Sequence, residues 1–438
     1  MATTVGTPPE AGTLRPFNYK TGKKKGFPIP CVQHISDFGC IALVSSRFSL
    51  LAMALLFIDF SMPQAAPYTA KFLWLSHRQS STGLYSIGNG DVCFVLFKVL
   101  TLSWLRESCM DYLLAPFAAA MGVAKERKRI RFSEQGWVLM YYTVFWPLGM
   151  FIWTKESHFA NMDHLWTGWP QRDIDGLTKF YILTQLSYWI QQVISVNIEA
   201  RRKDYWLNVV HHFITITLIL VSYVYHHTRV GVLILVMMDA IEILFPFAKC
   251  LRYLGYTTLC DVVFCLFFIT WVLSRHVLYL MTCWSVYSDV PRIMEVSCFI
   301  GSAGNLHGPL PVPDNWWHLI EPWLYPNGIV CHSNGFRISI LVYLLLLQVL
   351  MMMWFGFICK VAIGVLDGRV VDDVRSDEES DEGSQITELE KDTNSFATVS
   401  SWQESRLQPR RSARSSSAAQ IGNDGNGYLK RKAHGKGE

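Results

Sequence analysis

Two long apolar stretches joined by a five-residue polar turn limit this chain more than any other feature. They run from Glu199 to Lys249, and the turn is Tyr225-His226-His227-Thr228-Arg229. A helix that crosses a bilayer needs about 20 mostly apolar residues, and both arms approach that length. The first arm nevertheless carries adjacent histidines, His211 and His212, and the second carries two acids, Asp239 and Glu242. Ionisable groups at such depth cost at least ~2.5 kcal/mol each on insertion scales, so they mark a functional site by default. If the arms pair antiparallel about the turn, His212 lies level with Ile243, and Asp239 lies level with Ile216 and near Thr215. Asp239 and Glu242 are three residues apart and share one helix face. The adjacent histidines diverge by about 100°, so one at most aims straight at that face. Imidazoles beside carboxylates in one membrane layer suit general acid–base chemistry: a proton acceptor that titrates near neutrality, oriented by an acid.

Composition agrees with a membrane chain. Of 438 residues, 51% are hydrophobic and 17% charged, against about 25% charged in ordinary soluble domains. The fold class read from this is all-α: a polytopic membrane protein with about eight transmembrane helices. The spans are expected near 43–63, 92–118, 137–153, 178–198, 206–225, 230–248, 258–284 and 336–363. Segment 64–91 reads as a polar loop. Residues 1–40, Pro/Gly-rich with a basic cluster at Lys23, Lys24 and Lys25, read as a disordered terminus without a cleavable signal. Basic residues gather on one side of the membrane in this arrangement: Lys23–Lys25, the 125–131 cluster, Arg201-Arg202-Lys203 and Lys249 with Arg252. That asymmetry places both termini in the cytosol. From about 364 the chain turns acidic and Ser-rich, which again reads as disordered cytosolic tail. Ser376 and Ser380, each followed by acids, are candidate phosphorylation sites, although a charged solvating tail explains them equally well.

The net charge of +4 is small, and no nucleic-acid partner is expected. The eleven cysteines show neither CxxC nor metal spacing, so neither a zinc site nor a disulfide framework is read. Four histidines within the hairpin could suggest a di-iron site. That class needs repeated HxxxH and HxxHH boxes, which do not occur, so no metal is expected. His226 and His227 read as loop residues.

The polar residues also carry a resemblance. They are Arg131-Phe132-Ser133-Glu134-Gln135-Gly136-Trp137, Arg202-Lys203-Asp204, His211-His212, Thr215, Ser222-Tyr223 and Arg229-Val230-Gly231. Met238-Asp239-Ala240-Ile241-Glu242, Ala248-Lys249, Trp271 and Arg275-His276 follow. In order and spacing, over about 92–363, the chain resembles the TLC-domain ceramide synthases, most closely their fungal branch. Two positions depart from the fuller family motif: Met238 stands where a His is common, and Glu242 replaces the second Asp. The resemblance implies an enzyme of the endoplasmic-reticulum membrane with a TLC domain at 131–363, preceded by N-terminal spans and a basic cytosolic loop at 41–130. It would join the acyl group of a fatty acyl-CoA to the amine of a sphingoid base, with membrane lipid as surroundings and no cofactor beyond acyl-CoA as co-substrate. It also admits a homo- or hetero-oligomer with related subunits.

The resemblance puts His211, His212, Asp239 and Glu242 at the catalytic position. Arg201, Arg202 and Lys203, with Lys249 opposite, would suit the CoA phosphates. Thr215, Tyr223, Arg275 and His276 are candidate substrate-binding residues. The competing reading is a non-enzymatic TLC-domain protein that binds lipid or assists a translocon. Such a binder needs an apolar cavity but not these four ionisable groups together.

Overall fold

The computed structural model describes residues 38–156, 159, 161–198 and 204–366. The basic triplet Arg201, Arg202 and Lys203 and the tail serines Ser376 and Ser380 lie outside the described residues.

Each stretch expected to span the membrane is helical. The helices are α1 (Phe38–Ser61), α2 (Gly90–Cys109), α3 (Glu126–Lys155), α4 (Gly176–Ile198) and α5 (Tyr205–Val224). They continue with α6 (Thr228–Asp239, resuming at Ile241–Leu254), α7 (Thr257–Trp271, then Tyr279–Ser288) and α8 (Asn334–Leu366). Among the described residues four segments are long and apolar enough to cross a bilayer by themselves: Tyr205–Val224, Thr228–Leu254, Thr257–Ile293 and Asn334–Val365. The chain is therefore a polytopic helical membrane protein. Its helices are apolar on most sides, as helices immersed in lipid or buried among others must be.

Segment 64–91 is more ordered than a polar loop. Ala66–Leu73 is helical, and Thr69 and Trp74 donate to the carboxylate of Asp59 at 2.7 and 3.3 Å, which satisfies the acid at the end of α1. Farther on, Asp91 forms a buried ion pair with Lys179 of α4 at 2.7 Å. Lys179 also donates to the carbonyls of Ser76 and Ser86, while Tyr223 Oη and the Gly88 amide donate to Asp91 Oδ2. Buried charges persist only when paired and hydrogen-bonded in this way.

Close backbone approach sets the centre of the bundle. A Cβ at Gly149 of α3 would lie 2.6 Å from Tyr181 Oη and 2.8 Å from Val236 Cγ2, so only glycine lets α4 and α6 meet α3 there. α6 is interrupted at Ala240, and Pro246 farther along has no N–H for the Glu242 carbonyl. The Trp146 indole donates to the carbonyl of Val236, and Arg275 donates to that of Met238. Carbonyls flanking the interruption thus take side-chain donors, and both acids sit at this break.

The loop 285–335 departs from the all-α expectation. It forms a three-stranded antiparallel sheet, order β2-β1-β3, from β1 (Ser297–Ser302), β2 (Asn305–Leu310) and β3 (Val330–His332). Cys298 and Cys331 are register partners on β1 and β3 and form a disulfide. The expectation of no disulfide framework is corrected here. The two cysteines lie 33 positions apart, and only strand pairing brings them together, so their spacing carries no signal. Arg172 fastens this cap to the bundle by donating to the carbonyls of Pro326, Gly328 and Phe299 at 2.6, 2.9 and 3.3 Å.

Candidate active site

The α5–α6 hairpin forms, with Ser222 packed against Gly231. Along it runs an apolar cavity. His211, Thr215, Asp239, Glu242 and Arg275 line one part of it; Ser222, Gly231, His227, His332, Phe336 and Arg337 line another. From His211 to Ser222 the wall follows α5 for about 17 Å, at ~1.5 Å per residue. The described residues contain no group of three or more His, Cys, Asp or Glu placed to hold a metal ion.

Of the two histidines, His211 lines the cavity. Its ring lies edge-on to Trp189 of α4 and Trp354 of α8, at centroid distances of 5.3 and 5.1 Å. His212 is buried, 5.4 Å from the same Trp189 and 5.8 Å from His211. The adjacent rings diverge, as helix geometry requires, and Trp189 packs against both. Nδ1 of each histidine has no hydrogen-bond partner among the described residues.

Among the described residues the acids bond partners other than these imidazoles, which differs from the sequence expectation. Fully buried Asp239 accepts from Gln185 Nε2 at 2.5 Å and from Tyr181 Oη at 3.5 Å. Gln185 in turn accepts from Tyr141 Oη at 3.0 Å, and Tyr141 stacks on Tyr188 at 3.7 Å. Glu242 accepts from Arg275 Nη2 at 3.2 Å, and the guanidinium lies 4.7 Å over the Trp271 ring. The reason is packing. Asp239 faces α4, whose residues cannot be aligned with α6 from a hairpin argument. Arg275 reaches Glu242 from the π-helical turn Val272–Leu278 within α7, a helical irregularity often found at functional sites.

The structure gathers His211, Thr215, Asp239, Glu242 and Arg275 at one cavity wall and places other candidates elsewhere. Tyr223 is held in the Asp91–Lys179 network and does not line the cavity. His276 is also off the cavity: its Nε2 accepts from Trp271, and its Nδ1 lies 2.8 Å from the Gln348 amide nitrogen. Lys249 lies over the Phe245 ring at 4.3 Å. Sequence reasoning missed Gln185, Tyr181, Tyr141 and the two tryptophans. A Gln in the middle of an apolar span was the available signal for the first of these.

His226 is buried and His227 half-buried. His226 Nδ1 meets the Gln171 carbonyl at 3.0 Å, and His227 stacks with Trp169 at 5.7 Å. Burial, then the charge of Arg172, lowers the His226 pKa to about 3. Burial, then His332 and His226, lowers that of His227 to about 3. Burial lowers His332 to about 4, with Arg337 adding to it.

Comparison with known proteins gives a consistent result. The family model described as "TLC domain" matches residues 131–360. Ceramide Synthase FUM18 of Gibberella moniliformis is 76% identical over 374 residues, covering 85% of this chain and 86% of that protein. A sphingosine N-acyltransferase-like protein of Alternaria alternata is 40% identical over 311 residues, 70% of this chain and 72% of its own length. The sphingosine N-acyltransferase lag1 of Schizosaccharomyces pombe is 34% identical over 343 residues, 78% of this chain and 81% of its own.

Proposed function

Since this chain belongs to the TLC-domain ceramide synthases of the fungal kind, we propose that it is the enzyme that moves a fatty acyl group from acyl-CoA to the amine of a sphingoid base, forming a (dihydro)ceramide. The observation that carries the site assignment is the meeting of His211, Asp239, Glu242 and Arg275 on the wall of one apolar cavity. A lipid binder needs the cavity alone. Four ionisable groups at that depth are a standing cost that chemistry explains and binding does not.

In this reading the amine nitrogen attacks the thioester carbonyl, the C–N bond forms, the C–S bond breaks and CoA leaves as its thiol. His211 takes the proton that the amine must lose and returns it to the departing sulfur. His212 belongs to the same set through the Trp189 face it shares with His211. Asp239, held by Gln185 and Tyr181, and the Glu242–Arg275 pair act as fixed polar groups around the reacting centre; preorganised dipoles and charges of this kind stabilise developing charge without reorganisation. Thr215 Oγ1, beside His211 on the cavity wall, is buried without a hydrogen-bond partner among the described residues and is placed to bond substrate. The basic triplet at 201–203 is assigned to the CoA phosphates.

We place the enzyme in the endoplasmic-reticulum membrane with both termini cytosolic. The Cys298–Cys331 disulfide supports this, because disulfides persist in oxidising compartments and the basic loops fall on the other side. The domain division follows: the TLC unit at 131–363 carries catalysis, and 1–40 and 364–438 are cytosolic tails.

The test is N-acylation of dihydrosphingosine by purified full-length protein, with a panel of acyl-CoA donors. Wild type is expected to make dihydroceramide, and a folded His211→Ala variant is expected to make almost none. A folded wild type that yields no product with any donor sinks the enzyme reading and leaves lipid binding.

A further inference from the structure

Between β2 and β3 the cap carries a run of exposed aromatic and aliphatic side chains. Trp316, Trp317, Trp323 and Tyr325 are 67, 43, 43 and 60% exposed, and Ile320 and Leu324 lie among them. So many large apolar groups together mark a contact surface.

Their height relative to the membrane is fixed. Tyr225 directly follows Val224, the last residue of one span. Its hydroxyl donates to the Leu319 carbonyl at 2.5 Å, and its ring lies 6.5 Å from that of Trp323. On its other side Tyr225 stacks at 4.4 Å against Phe336, in the first turn of α8. The 316–325 run is thus tied to the level where two spans leave the bilayer. One or two turns into α8, Ile338 and Val342 are 52 and 57% exposed on a helix that crosses the membrane, so the apolar surface continues into the lipid-facing one.

The chemistry fits the membrane interface. Trp and Tyr concentrate at headgroup level because their rings are apolar with one polar edge. The run contains no Lys or Arg, and its only acid, Glu321, accepts from the Ile329 amide at 3.0 Å. Nothing in it calls for an anionic lipid or a charged partner. We infer that residues 316–325 form a pad that rests on the bilayer interface, on the side bearing the disulfide, and seats the strand cap on zwitterionic lipid. The pad adjoins Phe336 and His332, which line the cavity, so lipid contact braces that end of the cavity. This inference stands apart from the catalytic reading.

The test introduces an environment-sensitive fluorescent amino acid by codon suppression in place of Trp316 or Trp323, in separate full-length variants. Asn305, exposed on β2, serves as the control position. Each protein is held in phosphatidylcholine nanodiscs with or without lipid carrying a doxyl quencher near the headgroup. Expected are blue-shifted emission and several-fold stronger quenching at 316 and 323 than at 305, both unchanged in high salt. Emission and quenching equal to those at 305 would put the pad in water and overturn the inference. A blue shift without quenching would show a protein covering it, and salt-abolished quenching would show an electrostatic contact; either outcome also overturns it. Thermal unfolding matching wild type confirms that each substituted protein is folded.

Discussion

At the residue scale the site divides into one histidine of the adjacent pair, His211, on the cavity and polar groups that hold its surroundings. With His211 as general base, His211→Ala is expected to lower kcat/KM about 10²–10⁴-fold, the usual contribution of such a group. Steady-state acylation assays of folded protein read this directly, and wild-type-like turnover would remove His211 from the mechanism. Gln185 gives a sharper test because it touches Asp239 and does not line the cavity. Gln185→Leu leaves a fully buried carboxylate short of its closest donor, which costs about 1–3 kcal/mol or more. Lower thermal stability together with reduced kcat is expected, while Gln185→Asn, which keeps an amide, should recover part of both. Unchanged melting of the leucine variant would show that Asp239 does not depend on this bond. His211, Asp239 and Glu242 were legible as ionisable groups in apolar sequence. Their partners were not, because Gln185 lies 54 residues from Asp239 and Arg275 lies 33 from Glu242.

At the element scale, two irregularities shape the site. The interruption of α6 at Ala240 and the π turn of α7 bring Glu242 and Arg275 together. Apolar periodicity marks helices but does not mark where one of them loosens. The cap depends on its disulfide in a similar way. Closing a loop whose cysteines are 33 positions apart removes chain entropy from the unfolded state worth ~3–4 kcal/mol in the chain-entropy model. A double Cys298→Ser, Cys331→Ser variant is expected to unfold at lower temperature and to be cleaved faster by protease within 297–332. Equal protection in oxidised wild type and the double variant would show that strand pairing and Arg172 suffice.

At the scale of the whole molecule, the interface between cap and bundle makes stability depend on pH. His226, His227 and His332 have pKa values lowered to about 3, 3 and 4, in each case chiefly by burial. A lowered histidine pKa means that the folded protein holds the neutral ring while the unfolded chain takes up a proton. The stabilisation is therefore complete above the unfolded value of ~6.5 and is lost as pH falls toward 4 and below. Near pH 5 each histidine forfeits about 2 kcal/mol relative to neutrality. Thermal unfolding in nanodiscs at neutral pH and near pH 5 checks this, with a marked drop expected for wild type and a smaller one for His332→Gln. A melting temperature that ignores pH over that interval would show these rings to be solvated.

By itself the sequence determined that this is a helical membrane chain, where its long helices run and which ionisable residues lie deep within them. Those conclusions rest on local quantities, namely the length of apolar runs, the cost of charge in lipid and the asymmetry of basic residues across spans. Only the tertiary structure decided that His211 rather than His212 faces the cavity, that Asp239 bonds Gln185 and Glu242 bonds Arg275, and that Tyr223 serves the Asp91–Lys179 pair. It alone turned the 285–335 loop into a disulfide-linked sheet over buried histidines. The physical reason is common to all of these. A buried polar group must find partners wherever packing brings them, and those partners come from helices or strands whose relative rotation and depth leave no local pattern in the chain.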